Sequence, residues 1–170
     1  MKKLLVICTV FFLSLSALLF NGCDLKDILP IPSMTAKVNG DSWTSLFRAS
    51  VMYISNNYFS VIGSPELSEN ADKVINISVY GRQPGTYELN PGTLTTECLI
   101  VYLKKAGAAN GSSDYYVSTT ATVTITKVDE TKKTISGTFS GTLVESSGTV
   151  NDEVTITEGK FENLTYQEVQ

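Results

Sequence analysis

The sequence predicts an all-β protein, an antiparallel β-sandwich with a partly open β-barrel as the alternative, of about ten short strands behind a cleaved signal peptide. Three observations predict it. From residue 34 onward, Val, Ile, Thr, Tyr and Phe recur at period two, the pattern of half-buried strands. Turn signals such as Asn39-Gly40, Ser64-Pro65, Gln83-Pro84-Gly85 and Asn90-Pro91-Gly92 interrupt that pattern at short intervals. No long segment carries the 3.6-residue period of an amphipathic helix, and many short strands at such spacing point to a sandwich or barrel.

The chain opens with a targeting segment. Lys2 and Lys3 precede Leu4 to Phe20, an uncharged run broken in polarity only by Thr9, Ser14 and Ser16. A positive start, an apolar core and a small residue before a cut site make a signal peptide; a membrane span wants about 20 apolar residues. Gly22 followed by Cys23 resembles a bacterial lipobox, and in its looseness, with Phe20 and Asn21 ahead of the glycine, it is similar to those of Bacteroidetes-type lipoproteins. The resemblance implies cleavage after Gly22 and a glyceride on the Cys23 thiol. Each buried methylene of an acyl chain contributes about 0.8 kcal/mol, so two or three chains hold a protein on a membrane durably. Residues 1–22 are then the signal peptide and 23–33 the lipidated cysteine and its tether, stiffened by Pro30 and Pro32. Residues 34–170 form a single β-sandwich domain.

Within that domain, AKVNGDSW (36–43) is a hairpin, because Asn-Gly suits a tight type I′ turn. Trp43, the only tryptophan, returns to the core. Further strands are expected at 46–54, 58–63, 73–81, 85–89, 97–104, 115–119, 153–158 and 160–166. PELSENAD (65–72) has room for one helical turn. The clearest hairpin joins TATVTITKVDE to TISGTFSGTLV across a polar turn at 129–133. Ala121, Val123 and Ile125 share one face of its first strand; Ile135, Phe139 and Leu143 share one face of its second. Gly137 and Gly141 lie among the latter and suggest bends or close sheet packing. AKVNGDSW, GTYEL, TVTITKVDETKKTISGTFSGTL and ITEGKFENLTY together resemble a family of small secreted Bacteroidetes lipoproteins of unknown function. The likeness spans most of residues 34–166 and implies a β-sandwich on a lipid anchor. Its motifs are hairpins and strand ends, so no site residue follows from it.

The chemistry available is narrow. The 13 basic residues less Lys2 and Lys3 leave 11 against 17 acidic ones, a formal charge of −6, which is wrong for nucleic acid. There is no histidine, so zinc is not expected. Asp152, Glu153, Glu158 and Glu162 are the densest acids but lack a calcium-loop pattern; no metal and no cofactor is expected. With Cys8 removed and Cys23 lipidated, Cys98 is alone in a strand and reads as a buried structural thiol. No nucleophile elbow or phosphate loop is present. The expectation is a non-enzyme: a lipid-anchored envelope protein serving as a binding or accessory module for a glycan or an envelope-protein partner. The alternatives are a structural subunit of a surface assembly and a carboxylate-dependent hydrolase. GAANGSSDYY (107–116) supplies the ligand-contact candidates Tyr115 and Tyr116, since tyrosine offers large contact area at low entropic cost. The plainer reading has them opening a strand, one ring inward and one outward. The place expected is the outer membrane facing outward, with the periplasmic side as the alternative.

Overall fold

The computed structural model describes residues 33–45, 50–55, 57–66, 72–105, 114–146 and 152–168. All fall within one compact unit, Pro32–Gln170. The signal peptide, Gly22, Cys23 and most of the tether lie outside the described residues, as do 107–113 of the polar loop and 67–71 of the expected helical turn.

Among the described residues, eleven strands follow in order: β1 (Ser33–Val38), β2 (Asp41–Thr44), β3 (Ser50–Ser55), β4 (Tyr58–Gly63), β5 (Val74–Val79), β6 (Gly85–Asn90), β7 (Thr95–Thr96), β8 (Cys98–Lys105), β9 (Asp114–Asp129), β10 (Thr134–Glu145) and β11 (Glu153–Glu168). The predicted all-β class holds, and the form is a curled, almost wholly antiparallel sheet between a sandwich and a partly open barrel. Asn39 and Gly40, at φ 52° and 86°, make the β1–β2 turn. Only glycine and a few polar residues enter that region cheaply.

The long strands organise everything. β9 pairs along its length with β10, while its other edge is divided: Asp114–Val117 pairs with β8 and Ala121–Ile125 with β6. β11 is divided likewise. Its first part pairs with β1, and Tyr166–Glu168 pairs with β3 in parallel. β3, β4, β5, β8, β9, β10 and β11 thereby form a continuous circuit of pairings.

The structure departs from the sequence reading in four places. The strand expected at 115–119 and the run TATVTITKVDE are one strand, β9; those expected at 153–158 and 160–166 are one strand, β11. Bulges replace the expected breaks. Glu158 and Asn163, at φ 51° and 49°, coincide with the register shifts against β10. A bulge adds a residue, bends the strand and increases its twist, which lets one strand serve two layers. The two-residue β7 was not foreseen, and the β11–β3 pair is parallel where an antiparallel sheet was expected.

One core runs through the domain from Met34 to Tyr166. Trp43, Ala121, Val123, Ile125, Ile135, Phe139 and Leu143 are all in it, as their alternation requires. Gly137 is one of the places where the packing is close. A Cβ there would lie 2.5 Å from Phe161 Cζ and from the Thr124 carbonyl oxygen. The missing side chain lets the Phe161 ring come over the β10 backbone and stack with Phe139, centroids 6.4 Å apart. Cys98 is fully buried. Its thiol points at the carbonyl oxygens of Tyr87 and Ala121, and burial pushes its pKa up to about 11. A thiol so placed is a small core side chain rather than a nucleophile.

Candidate binding site

Tyr115 and Tyr116 do not form a pair on one face. They open β9 with alternating directions: Tyr115 is 45% exposed and Tyr116 only 2%. Each leads to a different surface.

Tyr116 leads to one end of the sheet, where the β1–β2 turn, β8 and the start of β11 converge. Its hydroxyl donates to Asp152 Oδ2 at 2.6 Å and accepts from Lys104 Nζ at 3.3 Å. Lys104 and Asp152 are 3.6 Å apart, and the ammonium lies 5.6 Å from the Tyr116 ring centroid. The hydrogen bond from Tyr116, then the nearby Lys104 charge, hold the Asp152 carboxyl below its usual range. The same contact with Tyr116 raises the Lys104 ammonium, and the bond to Asp152 raises the Tyr116 hydroxyl. Asp152 is therefore a fixed anion and acceptor at neutral pH. A general acid needs the opposite shift.

Lys104 and Asp152 line a cleft of about 210 Å³, together with Asn39, Asp41, Ser42, Trp43, Lys73 and Tyr102. Trp43 and Tyr102 are each 5% exposed and form its apolar base. The indole Nε1–H donates to the Lys73 carbonyl oxygen at 2.6 Å. Lys73 itself has φ 59°, a left-handed conformation that costs a non-glycine residue about 1 kcal/mol. The hydrogen bond from Trp43 holds that strained residue at the cleft, and strain of this sort gathers at functional sites. An aromatic base with a few convergent polar groups is the usual form of a small-ligand site. Asn39 contributes less freely, because its Oδ1 accepts from the Thr155 N–H at 2.8 Å.

Tyr115 leads instead to the outer face of β4, β5, β8 and the start of β9. Every residue of β8 from Cys98 to Leu103 is apolar. Cys98, Ile100 and Tyr102 point into the core; Leu99, Val101 and Leu103 point out and are half-buried among their sheet neighbours. The other candidate surfaces are plainer. Tyr58 and Tyr80 have centroids 5.3 Å apart but a 53° interplanar angle, so they make no flat aromatic platform. The edge strands β2 and β7 are short and polar. A shallow trough of about 370 Å³ lies over β6, β9, β10 and β11, walled by Thr120, Thr122, Ser140, Thr142, Thr155 and Thr157.

Of these features, sequence reasoning singled out Tyr115 and Tyr116 as ligand contacts, and named Asp152 only as a dispersed acid and Trp43 only as a core residue. The cleft brings together residues 39 to 43, 73, 102, 104 and 152, and no motif links them. The one available signal was Trp43 beside a tight turn. No curated protein and no solved structure matches the chain. A family model does match over residues 31–165, and the chain belongs to that family, the domain of unknown function DUF6252.

Proposed function

We propose that this protein is a lipid-anchored, non-enzymatic binding module of the bacterial outer membrane that holds a small polar ligand, of the size of a sugar at the end of a glycan, in the cleft over Trp43. The lipobox resemblance at Gly22-Cys23 supports the anchor. The observation that carries the binding reading is the cleft itself. An apolar base from Trp43 and Tyr102 is ringed by Lys104, Asp152, Asp41 and Ser42, which offer donors and acceptors to hydroxyl groups. The low-lying Asp152 carboxyl favours holding a ligand over protonating a leaving group.

The single tryptophan makes this testable directly. Purified full-length protein is titrated with a panel of mono- and oligosaccharides while Trp43 fluorescence is recorded. The reading expects a saturable change with at least one sugar, lost in Lys104→Ala and in Asp152→Ala. Flat titrations across the panel remove the glycan reading. Protease treatment of intact cells, with a periplasmic control, tests the outward placement.

A further inference from the structure

We propose, given a sugar in the cleft over Trp43, that Tyr116 is a positioning residue which sets Lys104 and Asp152 to read two adjacent hydroxyl groups of an uncharged sugar. Tyr116 lies behind the cleft wall rather than on it. Its ring is buried on the inward side of β9 and packs against Tyr102, centroids 6.2 Å apart at an interplanar angle of 42°. The hydroxyl therefore has a fixed place. From there it meets both residues of the wall, donating to Asp152 Oδ2 and accepting from Lys104 Nζ. The main chain holds those two residues as well. The Lys104 carbonyl oxygen accepts from the Lys73 N–H at 3.4 Å, and the Asp152 carbonyl oxygen accepts from the Glu145 N–H at 3.2 Å. Side chains anchored at both ends have little freedom left to lose on binding, and such pre-organisation favours affinity.

The bonding capacity left to the couple decides what it reads. A carboxylate offers about four lone-pair positions and an ammonium three N–H donors. Tyr116 and Lys104 both address Oδ2 of Asp152, so Oδ1 keeps acceptor capacity. Lys104 directs one donor to Tyr116 and another toward Asp152, which leaves a third. Both side chains are about half exposed, with their charged ends 3.6 Å apart. A donor and an acceptor thus stand side by side on the cleft wall. One sugar hydroxyl donates to Asp152 while its neighbour accepts from Lys104. Hydroxyls on adjacent ring carbons are close enough to engage both groups; hydroxyls across the ring are not. Bonds to charged groups are the strong ones, so a ligand that lacks either hydroxyl loses much of its hold. Charge selects further. Lys73 and Lys104 balance Asp41 and Asp152 around the cleft. A carboxylate or an ammonium on the ligand would compete for one half of the Lys104–Asp152 pair and leave the other half without its partner.

The test follows Trp43 fluorescence in the full-length protein. The probes are the methyl glycosides of glucose, galactose and mannose, each beside its singly deoxygenated forms, with glucosamine and glucuronic acid as charged counterparts. At least one neutral glycoside should bind. Two deoxygenations, at adjacent carbons, should each weaken it about tenfold, and the charged counterparts should bind more weakly. Tyr116→Phe keeps the buried ring and should leave the circular dichroism spectrum unchanged. It should still weaken the neutral glycoside about tenfold and bring the deoxygenated forms to within about twofold of it. Lys104→Met and Asp152→Asn, both on half-exposed side chains, should each abolish sensitivity at a different one of the two carbons. Tyr115→Phe removes the neighbouring hydroxyl on the opposite face of β9 and should change neither affinity nor discrimination. A glycoside that binds with no sensitive adjacent pair overturns the diol assignment and leaves the sugar site standing, as does a charged sugar that binds better. Full discrimination in Tyr116→Phe overturns the positioning role. No response to any glycoside overturns the diol assignment and the sugar site together.

Discussion

β9 carries two kinds of outer surface on one strand. In its second half the outward residues are Thr120, Thr122 and Thr124, and in its first half Tyr115 and Val117. The registers extend each kind sideways. Thr44, Thr35, Lys160, Thr138, Thr124 and Thr86 form one polar row across six strands. Val74, Leu103 and Tyr115 form an apolar one. Beneath both lies the same core. Burial inward determines which residues alternate, but it leaves the outward residues free. The sequence spends that freedom on hydroxyls in one half and on Leu, Val and Tyr in the other. The difference teaches that the outer composition, and not the fold, separates the hydroxyl-bearing half from the half with apolar outward side chains.

The common core is the first part of the comparison to break. Phe161→Ala removes the ring that fills the space over Gly137, and should cost about 3–5 kcal/mol in urea denaturation. If the halves were independent, only the polar half would be lost; a single cooperative transition is expected. Cys98 tests the inner surface under the apolar half. Its raised pKa means that the folded protein keeps a proton which the unfolded chain releases near pH 9. Stability from this group is full below pH 9 and is lost as pH rises toward about 11, by about 3 kcal/mol. A fall confined to lower pH would contradict it, and the native thiol should resist thiol reagents at pH 8.

Asp152 gives the acid counterpart at the cleft. Its folded pKa is lowered, so its contribution is present above the unfolded value and lost as pH falls through the folded one, below about pH 4. Tyr116→Phe removes the leading cause of that shift, and the Asp152 midpoint followed by NMR should move upward. The outer faces themselves should matter least to monomer stability. Val101→Thr and Thr124→Val exchange the character of the two faces and should each change unfolding free energy by about 1 kcal/mol or less. Only the first should reduce binding of a hydrophobic dye. Thr86→Ala breaks the exposed 3.1 Å bond to Thr124 and should cost about 0.5 kcal/mol.

Much of the fold was legible because its signals are local. Asn39-Gly40 specified a turn, TATVTITK a strand with its inward face, and the neighbours Tyr115 and Tyr116 a change of direction. The bulges were not legible, because Glu158 and Asn163 enter the left-handed region without a glycine to announce it. In β11 the residue types therefore show a break where the strand only bends. The cleft was illegible for a different reason. Trp43, Lys73, Lys104 and Asp152 meet only after β2, β5, β8 and β11 are in register, and the lysine and aspartate resemble any solvated charge until then. The apolar face was half-legible: CLIVYL showed an unbroken apolar run, but an outward side chain and an inward one look alike in such a run.

The parallel pairing of Val51–Tyr53 with Tyr166–Glu168 joins segments more than a hundred residues apart. β1 also pairs with β11. Neither early strand has its long-range partner until the final strand emerges. Such distant contacts demand closure of a long loop before they return any energy, and they slow folding. The circuit of pairings therefore stays open at β1 and β3 until residues 153–168 are in place, and its closure is the last step of folding.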